Sequence, residues 1–116
     1  MQGVFWGCNS IKNSPDIDTS NVRMAFSMFY NCNNMVNVIE YNCSNMTNMT
    51  NMFGECNNLS NASIMNIVNM CINSNVPASR KNISNANSYS PLFRTKFNSS
   101  YYSDRLSDLS NAGWGY

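Results

Sequence analysis

The chain has 116 residues, enough for one domain, and carries a formal net charge of +1 with 11% charged residues. This balance gives no indication of nucleic acid or an acidic surface as a partner. No run of about 18 apolar residues occurs, which excludes a membrane-spanning helix, and histidine, the commonest general base, is absent.

The stretch 1–59 contains an internal repeat with a period of 24. Three segments align: VFWGCNSI at 4–11, MFYNCNNM at 28–35 and MFGECNNL at 52–59. Asparagines align by chance in an Asn-rich chain, but an apolar-Phe pair, a Cys and a following aliphatic residue do not easily align three times. The period has the length of one leucine-rich repeat. The sequence therefore predicts three buried ladders: Phe5, Phe29 and Phe53; Cys8, Cys32 and Cys56; and Ile11, Met35 and Leu59.

Each coil of such a repeat carries one short strand and one short helical or turn segment. The strands are predicted at 35–41 and 59–63, and short helices at 22–29 and 46–53. Met46, Met49 and Met52 lie three apart on one predicted helix face. A stripe of this kind indicates core rather than a partner groove.

The repeat ends near residue 60 and an amphipathic helix is predicted to follow. Ser60 is a suitable N-cap, and the helix core is formed by an i, i+3, i+4, i+7 pattern. That pattern consists of Ile64, Ile67, Val68 and Cys71.

Beyond this helix, residues 73–87 are predicted as a loop and 101–109 as a second helix. Gly113 is suited to stop that helix, and Trp114 is expected to pack back as a lid. The predicted organisation is about two and a half coils at 1–59 and a C-terminal cap at 60–116, which covers the last coil.

The five cysteines give no metal or disulfide pattern. Their number is odd and no CxxC pair occurs, whereas zinc sites want short Cys or His spacings. We predict free thiols that pack as small hydrophobic groups, and no metal. The five are Cys8, Cys32, Cys43, Cys56 and Cys71.

No Gly-rich phosphate loop and no nucleophile with a base can be identified. Asp104 and Asp108 lie four apart and indicate a solvated helix face rather than a catalytic pair. Asp16 and Asp18 indicate a turn, with calcium binding as an alternative that lacks the full loop pattern. The basic side chains are too sparse to form a nucleic-acid-binding patch; those considered are Arg80, Lys81, Arg94 and Lys96. The sequence therefore predicts no enzyme, catalytic residue or cofactor, and its binding residues stay unknown.

One further motif resembles a known family. The string DTSNV at 18–22, followed by MFYNCNNM at 28–35, resembles the BspA-type leucine-rich repeat, which reads roughly DTSNVTNMSxMFxxCxxL. The family's LDLS strand is replaced by VIEY at 38–41. The terminal LSNAGWGY at 109–116 resembles the AGW segment that closes repeat proteins encoded in phage tail regions.

The repeat and this resemblance together imply an α/β fold: a short leucine-rich-repeat-like solenoid with a parallel strand ladder, short helices and a helical C-terminal cap. They imply a non-enzymatic structural or adhesion protein, a phage virion component of tail, baseplate or fibre. The alternative is a fragment of a bacterial cell-surface adhesin, and a third hypothesis is an accessory module of an enzyme. The expected partners are neighbouring virion subunits, the remainder of a longer chain, or a host receptor or glycan, without nucleic acid or membrane insertion.

The repeat register also predicts an open end. The first repeat unit starts at Val4, so the half-coil that would stack beneath it is absent from the sequence. Val4, Phe5 and Ile11 are then expected to be exposed, with unpaired backbone groups beside them. We expect another polypeptide segment to cover this end.

Overall fold

The computed structural model describes residues 1–116 and contains no β-sheet. Three isolated parallel bridges are the only strand-like pairs. The helical elements are α1 (Asn61–Ile72), α2 (Leu106–Asn111) and two 3-10 helices, Ala78–Arg80 and Ser99–Arg105. The predicted α/β leucine-rich-repeat solenoid with a parallel strand ladder is therefore wrong.

The errors lie in the local structure assigned to the repeat. No strand forms at 35–41, and 59–63 runs into the start of α1. The segments 22–29 and 46–53 are turns rather than helices. The period of 24 itself reappears as contacts between equivalent residues, because the chain stacks tight turns instead of strands. The side-chain amide of Asn37, for example, donates to that of Asn13 at 2.8 Å.

Four short segments, each six residues long, form this stack. We name them turn 1 (residues 3–8), turn 2 (27–32), turn 3 (51–56) and turn 4 (90–95). In each turn the fourth amide donates to the first carbonyl and the sixth amide to the third carbonyl, at 2.9–3.3 Å. Each segment is therefore wound into two overlapping β-turns.

Positive φ angles explain why these segments are not strands. The fifth residue of all four turns has φ between 56° and 68°, and the first residue of turns 1–3 has φ between 54° and 60°. Backbone in this region curls the chain out of the extended conformation that a ladder needs. Turn 1 has Gly3 and Gly7 at these two positions, where glycine adopts positive φ without steric cost.

Consecutive turns are joined by backbone hydrogen bonds in one direction. The first, third and fifth amides of turns 1–3 donate to carbonyls at or beside the next turn, at 2.7–3.1 Å. Phe5, for example, donates to Met28, and Phe29 donates to Met52. The first, third and fifth amides of turns 1–3 thus face forward along the chain, and the second and fourth carbonyls of turns 2–4 face backward.

The predicted phenylalanine ladder is confirmed. The ring centroids of Phe5 and Phe29 lie 5.1 Å apart and those of Phe29 and Phe53 5.4 Å apart, with nearly parallel planes. Phe29 and Phe53 are fully buried, whereas Phe5 is half-buried. Stacked aromatic pairs add specific geometry to the area that they bury.

Turn 4 is a fourth copy of the repeated turn, and the sequence analysis did not predict it. A longer stretch of chain separates it from turn 3 than separates turns 1–3 from one another. Leu92 replaces the phenylalanine, and Thr95 replaces the cysteine. The hydroxyl of Thr95 donates to the carbonyl of Phe53 at 2.6 Å, as the Cys56 thiol donates to the carbonyl of Phe29 at 3.0 Å.

In the third repeat, helix α1 replaces the non-helical segment that follows the turn in the first two repeats. Ser60 caps it by accepting from the amide of Ser63, as predicted. The Ser63 hydroxyl also donates to the carbonyl of Val36 and accepts from the amide of Val38. The predicted apolar face is buried and consists of Ile64, Ile67, Val68 and Cys71.

The C-terminal segment largely follows its predicted pattern. The stretch predicted as a second helix is a 3-10 helix that continues into α2. Gly113 ends α2 with φ 86°, and the amide of Trp114 donates to the carbonyl of Leu109 at 2.9 Å. Trp114 is buried, as the lid prediction requires.

Candidate functional site

The backward face of turn 1 differs from the same face of the later turns. Its second residue, Val4, is 55% exposed, whereas the equivalent Met28 and Met52 are fully buried. The predicted exposure is confirmed for Val4, but Phe5 and Ile11 are half-buried and pack against the core. Turn 1 therefore presents an apolar surface.

Unpaired backbone acceptors accompany that surface. In turn 2 and beside it, the carbonyls of Met28, Tyr30 and Phe26 accept amides from turn 1. Gln2, Val4 and Trp6 are the equivalent positions one repeat earlier, and their carbonyls accept no hydrogen bond within the chain. We call these three carbonyls, with the side chains of Val4 and Trp6, the open face.

An aromatic column borders the open face. Trp6 is 57% exposed, and its ring centroid lies 4.8 Å from that of Tyr30 at an interplanar angle of 50°. Tyr30 in turn lies over Gly54, where an added Cβ would be 2.8 Å from the tyrosine ring. Gly54 is therefore required by a close approach, and it allows Tyr30 to support Trp6 from one side.

The open face is electrically neutral in its side chains, since residues 1–11 contain no charged residue. It offers hydrogen-bond acceptors from the backbone and an exposed indole, but no side-chain cation or carboxylate. This combination suits a ligand that donates backbone amides and buries apolar side chains.

The cysteines are packed as small side chains. All five are free; Cys8 is half-buried and the other four are buried. Burial raises the pKa of Cys43 to about 12 and raises that of Cys71 well above its usual value. The Cys32 thiol beside it and burial together raise the pKa of Cys56.

The acidic residues singled out in the sequence are held in local contacts. The guanidinium of Arg105 donates to Asp108 at 2.8 Å, and Asp104 is not part of that pair. Hydrogen bonding to the side chain and to the backbone amide of Ser20 lowers the pKa of the Asp18 carboxyl, and Asp16 carries no side-chain hydrogen bond. No group of three or more potential metal ligands comes together.

The basic residues that the sequence analysis named contact different groups. Arg80 lies over the ring of Tyr89 at 5.5 Å, and Arg94 contacts Glu55 at 3.8 Å. The Nζ of Lys81 donates to the carbonyl of Ala112.

The three methionines of the stripe are all buried in the core, as predicted: Met46, Met49 and Met52.

Sequence reasoning identified the open end but missed Trp6 as its main exposed group. The signal was present, because Trp6 precedes a glycine that fits positive φ and follows the Val4–Phe5 pair. The predicted strand ladder did not define whether the side chain of Trp6 faces the core or the solvent. Only the turn geometry shows that the fourth residue points outward.

Comparison with known proteins gives one match. A family model described as "Mycoplasma protein of unknown function, DUF285" matches residues 1–113. No curated protein and no solved structure matches the chain. The predicted descriptors leucine-rich repeat and solenoid are wrong for this fold, and the matched description names neither phage nor virion. None of the helices is long and apolar enough to cross a membrane.

Proposed function

Because the chain belongs to the DUF285 family, whose description assigns no function, we propose a function from its geometry. The protein is a non-enzymatic structural or adhesion protein that binds a polypeptide through the open face. The main observation in support of this proposal is that Gln2, Val4 and Trp6 present unpaired carbonyls beside exposed side chains. Turns 2 and 3 use the same positions to bind the preceding turn.

The stacking of the turns specifies the chemistry of the partner. A matching segment donates backbone amides at every second residue, as Gly3, Phe5 and Gly7 do towards the second layer. It also brings an apolar side chain that covers Phe5. A second copy placed face to face would oppose carbonyls with carbonyls, which disfavours a symmetric dimer through this surface.

The opposite end of the stack is already covered. The amide of Arg94 donates to the carbonyl of Asn85 at 2.7 Å, and the Ser90 hydroxyl donates to the carbonyl of Ile83. Head-to-tail stacking of two copies would require these contacts to break. The partner is therefore a different polypeptide segment or further residues of a longer chain.

The exposed indole supports a binding role in energetic terms. Tryptophan and tyrosine are enriched among the residues that dominate interface affinity, because they bury a large area with few rotatable bonds. Trp6 is already held by Tyr30, so little side-chain freedom remains to be lost on binding.

The burial of two cysteine thiols and the pairing of Asp108 support the non-enzymatic assignment. Burial keeps the thiols of Cys43 and Cys71 protonated, which makes them poor nucleophiles. Asp108 is engaged by Arg105 on an exposed helix face. These side chains act as structural groups.

For the location, we propose the bacterial cell surface ahead of the phage virion. The motif at 18–35 resembles the repeat of BspA-type surface proteins, and the family description names Mycoplasma, a bacterium. Surface labelling of intact producing cells should modify the protein. Recovery in purified phage particles, without labelling on cells, would support the virion alternative instead.

Site-specific photocrosslinking tests the binding face. A photoreactive phenylalanine analogue at position 6 should give one discrete crosslinked polypeptide in the producing cells. The same analogue at Tyr89, which is also exposed but lies away from the open face, is the matched control. Equal crosslinking from both positions, or none from position 6, would contradict the proposal.

A further inference from the structure

Two adjoining cavities lie in the C-terminal part of the chain, away from the open face. Their volumes are about 250 Å³ and 290 Å³, and they share Ser99, Tyr102 and Tyr116 as lining residues. We call the combined space the tyrosine cleft. It is formed where the 3-10 helix Ser99–Arg105 faces the last residue of the chain described here.

The lining of the tyrosine cleft has hydroxyl, amide and aromatic groups but no charged side chain. Besides the three shared residues, the cleft is lined by Ser84, Asn85, Phe97, Asn98, Ser100, Ser103 and Leu106. The side-chain amide nitrogen of Asn85 donates to the carbonyl of Thr95 at 3.2 Å, which fixes the direction of its carbonyl oxygen. Both donors and acceptors are therefore available to a ligand.

Tyr102 is the most unusual member of this lining. It is 3% exposed, burial raises its pKa, and its hydroxyl, which is not fully enclosed, makes no hydrogen bond within the chain. Because Tyr102 lines both cavities, a molecule that occupies them contacts this residue and can hydrogen-bond its hydroxyl in place of water. Its backbone, at φ −128° and ψ 18°, interrupts the 3-10 helix, and its ring centroid lies 5.9 Å from that of Phe97.

Tyr116 supplies an exposed ring on the other side of the cleft. It is 56% exposed, and its hydroxyl accepts from that of Ser110 at 3.3 Å. The parallel bridge between Asn82 and Gly115 holds the backbone immediately before it. The exposed ring is thus available for stacking, while the hydroxyl of Tyr116 and the backbone before this residue are both held in place.

These features select among ligand classes. An anion or cation would find no opposite side-chain charge in the cleft, and an apolar ligand would displace water from the hydroxyl and amide groups of the lining without replacing its hydrogen bonds. A sugar ring carries hydroxyls that pair with Tyr102, Ser99 and Asn85, and C–H faces that stack on Tyr116. We propose that the tyrosine cleft binds a neutral carbohydrate, one or two hexose units of a glycan. This site is independent of the open face.

Saturation-transfer NMR on the full chain tests this site. The probes are glucose, galactose, mannose, N-acetylglucosamine, N-acetylgalactosamine and lactose, with sialic acid as an anionic comparison. We expect transfer to at least one neutral sugar. Tyr102→Phe, which removes only the hydroxyl, should weaken that binding about 3- to 10-fold, and Tyr116→Ala should weaken it at least as much.

Tyr89→Phe and Tyr89→Ala are the matched controls, because Tyr89 is 49% exposed and lines neither cavity. Both controls should leave sugar binding unchanged, and thermal melting should show that every variant is folded. Absence of transfer to every neutral sugar would overturn the proposal. Binding of sialic acid alone, or binding that survives both cleft substitutions, would also overturn it.

Discussion

Turn 1 and turn 3 have nearly the same sequence pattern but opposite surroundings. Phe53 in turn 3 is fully buried, with Phe29 on one side and turn 4 hydrogen-bonded on the other. Phe5 in turn 1 is stacked on Phe29 alone and is half-buried. A repeat pattern thus fixes which side chains point inward, whereas their burial depends on the presence of the next layer.

The comparison also separates stability from binding. In turn 3, the carbonyls of Met52 and Gly54 accept amides from turn 2, and the amides of Phe53 and Glu55 donate to turn 4, so this turn is hydrogen-bonded on both sides. In turn 1 the carbonyls of Val4 and Trp6 accept no hydrogen bond within the chain, and they form part of the open face that we propose for binding. Substitutions at equivalent positions should therefore have unequal effects on the free energy of unfolding.

The largest difference is expected at the phenylalanine position. Phe53→Ala should lower the free energy of unfolding by about 3–5 kcal/mol, as should Phe29→Ala, because each leaves a cavity among buried rings. Phe5→Ala should cost about half as much, since water already reaches its ring. Urea denaturation of the three variants measures this. Equal losses at positions 5 and 53 would show that the two turns are energetically alike.

The second residue of the turns should give the next largest contrast. Met52→Ala is expected to cost about 2–5 kcal/mol, because its side chain is fully buried. Val4→Ala should change stability by less than about 0.5 kcal/mol, because it removes little contact from an exposed site. Thermal unfolding of both variants compares them directly. A large loss for Val4→Ala would mean that the open face is covered in the isolated protein.

Thr95 tests whether turn 4 truly acts as the cover of turn 3. Thr95→Val keeps the shape but removes the buried hydroxyl that donates to Phe53, and should cost about 1 kcal/mol. Thr47→Val is the control, since that hydroxyl is half-buried and donates over a longer distance of 3.3 Å. The control should unfold at nearly the wild-type urea concentration. Equal stability of both variants in urea would contradict the role of turn 4 as the cover of turn 3.

The smallest effect is expected for Cys8, the only cysteine that is not buried. Cys8→Ser should alter stability by less than about 0.5 kcal/mol. Alkylation of the folded protein at pH 8, followed by mass spectrometry, should modify Cys8 first. Burial and the raised pKa of Cys43 and Cys71 leave those two protonated and protected. Comparable labelling of Cys43 in the folded state would contradict this.

The match between sequence and structure depends on the range of the interactions involved. Helix α1 was predictable because Ser60 and the apolar spacing after it act within a few turns of helix. The phenylalanine ladder was predictable from the regular period of the repeat. Turn 4 was not, because it falls outside that period and Leu92 and Thr95 replace the repeated residue types.

The same division applies to the candidate surfaces. The neutral composition of residues 1–11 and the exposure of Val4 follow from the sequence register. The outward direction of Trp6 follows from the overlapping β-turns, which apolar periodicity does not reveal. The tyrosine cleft joins Asn85, Tyr102 and Tyr116, which share no motif and come together only when the chain folds.

The amino-acid order alone therefore fixes the repeat, the inward-facing residues and the capped helix, since each depends on local spacing and side-chain type. Folding adds what depends on distant neighbours. Positive φ at residues such as Asn31 and Glu55 is stabilised by amides that donate to the next layer, and it turns apparent strands into stacked turns. Within residues 1–116, turn 4 covers the forward side of turn 3 while the backward side of turn 1 is exposed, and this difference separates the core from the open face.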